Sequence, residues 1–133
     1  MYDKWHKSKL KNAWKVFNET LSLFPELPTR KVIRLTLVKD LNILPKYVKE
    51  YAELIKKAEP DFIEVKGFMS IGFARKRIPY EKMPSHKEIN DFSKLLLKEL
   101  KEKNYKYLDE QIFSRVVLLG KDKKKMKIKK SEI

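Results

Sequence analysis

The 133-residue chain contains no cysteine. That excludes disulfides, and it excludes any metal or iron–sulfur centre held by thiolates of this chain. Histidine is almost as scarce. His6 and His86 are the only two, too few for a histidine metal site. Only three glycines are present, and the segment Gly67–Gly72 lacks the spacing of a phosphate-cradling loop. There is no serine-hydrolase elbow. No apolar run approaches the roughly 18 residues of a membrane span, and the first seven residues lack the apolar segment of a signal peptide. A cytoplasmic protein without membrane contact is expected.

What is abundant is positive charge. Lys and Arg number 32 against 18 Asp and Glu, giving a net charge of +14. A field of that sign draws in polyanions, nucleic acid first among them; abundant Glu–Lys pairing as an adaptation to heat is the other reading. The length allows one domain, or part of one, and a core that buries about two thirds of the unfolded surface. A complete eight-fold α/β barrel needs about 250 residues. Seven Phe, six Tyr and two Trp set the chain apart from disordered sequences.

Periodicity predicts alternating elements. Leu10, Ala13, Trp14, Phe17, Leu21 and Phe24 recur at helical spacing over residues 8–24, with Ser8 as N-cap. Residues 30–38 are a β-branched run and read as a strand. Pro45 opens a helix over 45–58 that presents Val48, Tyr51, Ala52, Ile55 and Ala58 on one face. A second strand follows at 62–66, then a long basic loop at 67–83. Ser85 and Glu88 form a capping box for a helix running to about Lys103, burying Ile89, Phe92, Leu96 and Leu100. Residues 105–108 are a short extended piece, and 112–119 the last strand. The domain is expected to span 1–120, with a disordered Lys-rich tail at 121–133. Helix-length crossovers imply about three parallel strands joined right-handedly. So small an open sheet exposes backbone at its edges and calls for a second copy or another piece to cover it.

The chemistry-bearing residues cluster in 61–88. Arg34 and Thr36 share one face of the first strand, and Glu64 and Lys66 one face of the second. A parallel sheet covered by helices should be apolar on both faces. The polar set reads either as an enzyme lumen or as an ion-pair network such as Arg34 with Glu64. Lys66, followed by Gly67, is placed to form a Schiff base with a carbonyl substrate or to pair with Glu64. Arg75, Lys76 and Arg77 suit phosphate contact or are a solvated charge run, and Phe73 or Tyr80 can stack on a base. His86, at a helix start, is expected at the surface.

Three ordered segments carry a resemblance. They are Thr29 to Lys39 with Asn42; Pro60 to Met69, continuing through Gly72 and Arg75 to His86; and Ser114 to Leu119. Together they resemble the carboxyl-terminal half of the archaeal wyosine-forming radical S-adenosylmethionine enzymes, the tRNA 4-demethylwyosine synthases, over roughly residues 5–120. The resemblance implies an incomplete α/β barrel that binds a [4Fe–4S] cluster and S-adenosylmethionine. It also implies condensation of pyruvate with N1-methylguanosine beside the anticodon of phenylalanine tRNA. A second cluster and a lysine Schiff base to pyruvate belong to the same picture.

Carried onto this sequence, the resemblance puts Arg34, Thr36 and Asn42 near S-adenosylmethionine and Glu64 and Lys66 at the substrates, with Lys66 a candidate for the pyruvate lysine. Arg75, Lys76, Arg77 and His86 lie toward tRNA, and Arg115 closes the last strand. The family's CxxxCxxC motif belongs to the amino-terminal half and has no counterpart here. The expectation is therefore one half of a split radical enzyme, inactive until a separate amino-terminal chain brings the cluster. A remnant or a cut fragment are the plainer versions, against which the ends, Met1 and a Lys-rich tail, favour a split gene. A non-catalytic tRNA- or RNA-binding protein reusing the fold is the alternative function, and an interaction module a third.

Overall fold

The structure is a computed structural model that describes residues 8–130. His6, the amino-terminal heptapeptide and the last three residues of the basic tail lie outside the described residues. Among the described residues, three helices and four strands follow in the order α1 (Ala13–Leu23), β1 (Val32–Leu37), α2 (Val48–Ala58), β2 (Phe62–Gly67), α3 (His86–Glu99), β3 (Lys106–Gln111) and β4 (Val116–Gly120). The strands form one sheet in the order β1-β2-β4-β3.

The first half follows the expected α/β logic. β1 and β2 are parallel, with Arg34 opposite Glu64 and Thr36 opposite Lys66. The helix between them is long enough to return the chain to the same end of the sheet. The second half departs from it. The expected three-stranded parallel sheet is a mixed sheet of four, because β4 runs antiparallel to both of its neighbours. Residues 112–115, expected inside the last strand, are a turn in which the Ile112 carbonyl accepts from the Arg115 amide at 3.0 Å. Arg115 sits at φ +50°, in the left-handed region, and a chain reversed within four residues can only return antiparallel. The returning strand slots between β2 and β3 and buries Val117 and Leu119 completely.

Helices α2 and α3 cover one face of this sheet. Their buried residues, Val48, Ala52 and Ile55 from α2 and Ile89, Phe92 and Leu96 from α3, form a single core with Leu35, Leu37, Ile63, Val65, Val117 and Leu119. Burying each such aliphatic side chain stabilises the fold by roughly 1.5–3 kcal/mol. Helix α1 packs against α2 and buries a shorter set of residues, Ala13 and Leu21. It starts at Ala13 rather than at residue 8, and Ser8 instead accepts a local bond from the Leu10 amide.

The other caps explain the remaining boundaries. Ser85 and Glu88 make the reciprocal capping box of α3. Pro45 starts a 3-10 turn, Pro45–Tyr47, that feeds α2. The basic loop is built on two further 3-10 turns, Gly72–Lys76 and Tyr80–Lys82. In the tail, where disorder was expected, residues Lys123–Met126 form a 3-10 turn capped by Asp122, and the Arg30 guanidinium donates to the carbonyls of Met126 and Lys127. Among the described residues no helix is long and apolar enough to cross a membrane.

Candidate functional site

The alternation that buries Leu35, Leu37, Ile63 and Val65 under the helices turns Arg34, Thr36, Glu64 and Lys66 to the opposite face. That face is left largely open. Arg34 and Thr36 are exposed, and Glu64, Lys66, Val116 and Leu118 are half-buried. The ion pair of the second sequence reading is formed. Arg34 Nε donates to Glu64 Oε2 at 2.5 Å, yet the pair is not internal, with the side chains 59% and 29% exposed. The Glu64 carboxylate raises the Arg34 pKa, so the guanidinium stays charged. An ion pair this wet contributes at most about 1 kcal/mol.

Lys66 does not pair with Glu64. Its Nζ donates to the Ser114 carbonyl at 2.9 Å, which ties the end of β2 to the hairpin turn. Two bonds reinforce the junction: the Gly67 amide to the Arg115 carbonyl at 2.8 Å, and Arg115 Nη1 to the Pro84 carbonyl at 3.1 Å. The carboxyl end of β2, the β3–β4 turn and the end of the basic loop are therefore one assembled rim.

Asn42 stands apart from this group. Its Oδ1 accepts from the Val38 amide at 2.7 Å and its Nδ2 donates to the Thr36 carbonyl at 3.0 Å. Both ends of the amide thus close the turn at the end of β1. Of the three residues that the resemblance puts near S-adenosylmethionine, Arg34 and Thr36 lie on the open face and Asn42 braces the strand that carries them.

The basic loop leaves the carboxyl end of β2. The Ser70 hydroxyl donates to the Ile78 carbonyl and Arg75 Nε donates to the Ser70 carbonyl, both at 3.1 Å, so the loop has internal bracing. Arg75, Lys76 and Arg77 are exposed, as are Phe73 at 80% and Tyr80 at 67%. The Lys76 ammonium lies 5.5 Å from the Phe73 ring centre.

His86, expected at the surface, has a side chain only 16% exposed and contacts Glu110 Oε2 at 2.6 Å. Tyr107 donates to the same oxygen at 2.6 Å, and Asn90 Nδ2 reaches both Tyr107 and Glu110. The Tyr107 and His86 bonds lower the Glu110 pKa, and burial pushes that of Tyr107 up. This network was invisible in the sequence because its members lie on α3 and β3, up to 24 residues apart.

One electrostatic consequence is measurable. The Ser85 amide and hydroxyl both donate to Glu88, and these bonds lower its pKa. Glu88 and Glu110 thus have folded pKa values below their unfolded ones. They contribute stability above the ordinary carboxylate range, and it is lost as pH falls through the folded values. The thermal midpoint is expected to drop as pH is lowered below about 4.3. A Glu88→Gln, Glu110→Gln double variant should show a flatter profile by calorimetry, and an unchanged slope would refute the assignment.

No group of three or more His, Cys, Asp or Glu side chains among the described residues is arranged to hold a metal ion, and the chain has no cysteine. These residues do not fit an iron–sulfur cluster. The open face offers cations, a carboxylate and a hydroxyl, a set suited to binding and orienting polar substrates.

Residues 57–121 match the family model for wyosine base formation. The S-adenosyl-L-methionine-dependent tRNA 4-demethylwyosine synthase of Pyrococcus abyssi is 42% identical over 111 residues, which are 84% of this chain and 31% of that protein. The corresponding protein of Methanocaldococcus jannaschii is 33% identical over 116 residues, 87% of this chain and 35% of its own length. A solved structure of TYW1 with a lysine–pyruvate adduct bound superposes with a TM-score of 0.70 at 31% identity, covering 84% of this chain and 34% of that one. The crystal structure of archaeal TYW1 gives 0.64 at 29% identity, covering 90% and 35%. The chain spans about a third of the length of these relatives. In sequence and in fold alike, it is homologous to the carboxyl-terminal part of the tRNA 4-demethylwyosine synthases.

Proposed function

We propose that this chain is the carboxyl-terminal part of a tRNA 4-demethylwyosine synthase and works together with a cysteine-bearing partner chain. The observation that carries the reading is the one-sided sheet. Helices cover one face, while Arg34, Thr36, Glu64 and Lys66 line the other. In an incomplete α/β barrel the first face is the outside and the second the lumen. The parallel edge of β1 and the open face are what the missing arc would complete. The relatives are about three times as long and are named as S-adenosylmethionine-dependent, whereas this chain supplies no cysteine. The cluster ligands belong to the partner.

In the assembled enzyme, located in the cytoplasm, pyruvate is condensed with N1-methylguanosine of phenylalanine tRNA. When bound, S-adenosylmethionine and a cluster held by the partner's cysteines would supply the radical chemistry. This chain's own residues bind and orient. Arg34 and Thr36 face the cofactor side. Glu64 fixes Arg34 and offers its second carboxylate oxygen to a donor. Lys66 presents an ammonium at the rim that holds an anionic substrate group. To act as the pyruvate lysine it must first release the Ser114 carbonyl and lose a proton. Arg75, Lys76 and Arg77 hold phosphates of the tRNA, and His86 orders the adjoining rim through Glu110.

The test is an anaerobic pull-down of the tagged chain from its native lysate, with mass spectrometry and iron analysis. A stoichiometric partner carrying CxxxCxxC, with iron in the complex, is the expected result. Within that complex, Lys66→Ala should abolish wyosine formation, and full activity would remove Lys66 from the substrate site. A chain that carries RNA but neither partner nor iron would make it a non-catalytic RNA-binding protein and overturn the enzymatic reading.

A further inference from the structure

Among the described residues, the most exposed large apolar side chain is Phe113, at 92%. The sequence placed it inside a strand. The structure places it at the tip of the β3–β4 turn, where the Gln111 side chain accepts its amide proton at 3.2 Å. Nothing in the fold requires an aromatic ring at a turn tip, where polar residues are favoured. A single exposed apolar residue needs no explanation, but this one is not isolated. The turn belongs to the rim that Lys66 and Arg115 tie to the end of the basic loop. That loop exposes Phe73 and Tyr80 on either side of the run Arg75, Lys76 and Arg77.

Exposed aromatic rings flanking a run of exposed cations are poor candidates for the buried centre of a protein–protein interface, which is depleted in charge. They do match the way unpaired nucleic-acid strands are held: rings stack on bases while cations follow the phosphates. An enzyme acting on a base must also meet it out of its stack. We infer that Phe113, with Phe73 and Tyr80, forms a stacking platform for unpaired bases of a single-stranded RNA loop, with the basic loop holding the flanking phosphates. This rests on the tRNA-facing reading above and adds its mode of recognition. The rim reads unpaired bases rather than duplex.

The experiment compares two RNA probes on the full chain by fluorescence anisotropy at fixed salt. One is a stem-loop with an unpaired loop, the other a fully paired duplex of the same length. Phe113→Ala is expected to weaken stem-loop binding about tenfold, within the range of one stacked base, and to leave duplex binding unchanged. Phe113→Trp should restore the wild-type value. Equal thermal midpoints for the three proteins would exclude unfolding as the cause, and Phe73→Ala provides an independent second variant. Equal losses on both probes, or no loss on either, would overturn the platform while leaving salt-sensitive tRNA binding intact. Loss of the cysteine-bearing partner with unchanged RNA affinity would overturn it in favour of a protein contact. A wild-type chain that binds neither probe would overturn both the platform and the tRNA-facing reading.

Discussion

Replacing Phe92 by alanine is expected to lower the unfolding free energy by roughly 3–5 kcal/mol, the range for emptying a buried aromatic site. Phe92 lies at the centre of α3's buried stripe and is 2% exposed. Its ring meets Tyr51 of α2 edge-on, with centroids 5.8 Å apart at 83°, a geometry that adds to the area it buries. Its removal therefore leaves a cavity between the two helices that cover the sheet. A domain of this kind has only about 5–15 kcal/mol in total, so the variant should unfold at markedly lower urea with an unchanged slope. Phe92→Leu should recover most of the loss, because it refills much of the volume. A Phe92→Ala loss below about 1 kcal/mol, far under the usual cost of such a cavity, would mean that α2 and α3 do not meet over the sheet as described.

Reversing the basic loop should have the largest effect on RNA. Arg75→Glu, Lys76→Glu and Arg77→Glu together change the local charge by about six and convert phosphate attraction into repulsion. Affinity for tRNA is expected to fall at least about a hundredfold near physiological salt. The slope of log affinity against log salt should shrink by roughly two, at about 0.7 for each single-strand phosphate that the loop no longer neutralises. Stability should hardly move, since all three side chains are exposed and such substitutions usually stay within about 0.5 kcal/mol. Arg75 also braces Ser70, so a Lys76→Glu, Arg77→Glu variant separates charge from loop order. Unchanged affinity and slope in both variants would place the RNA surface elsewhere.

The parts of the fold that were legible in the sequence are those fixed by near neighbours. The helical spacing of Ile89, Phe92 and Leu96 buries those residues together because the helix period is set by the backbone alone. The Ser85–Glu88 capping box spans only four residues and stands as expected. The shared face of Glu64 and Lys66 follows from the pleat. The site was half legible for the same reason. Alternation brought out Arg34, Thr36, Glu64 and Lys66, but not which of them touch. Asn42 bonds Val38 and Thr36, four and six residues away. It could have been read as a local brace.

What only the tertiary structure decided involves residues far apart in the chain. Ile112 to Leu119 reads as one β run, and neither glycine nor asparagine marks the turn within it. The reversal is seen only from Arg115 in the left-handed region. It is stabilised by what the returning strand gains, burying Val117 and Leu119 against β2 and α3. That reversal made the sheet mixed, brought the Ser114 carbonyl to Lys66, and put Phe113 on the rim. It also brought Glu110 to His86. The sequence by itself determined a basic, cysteine-free α/β chain with one polar strand face, because composition and period are local properties. Strand direction, pairing partners and the membership of the rim were decided by long-range packing, because each depends on which apolar surfaces are buried together.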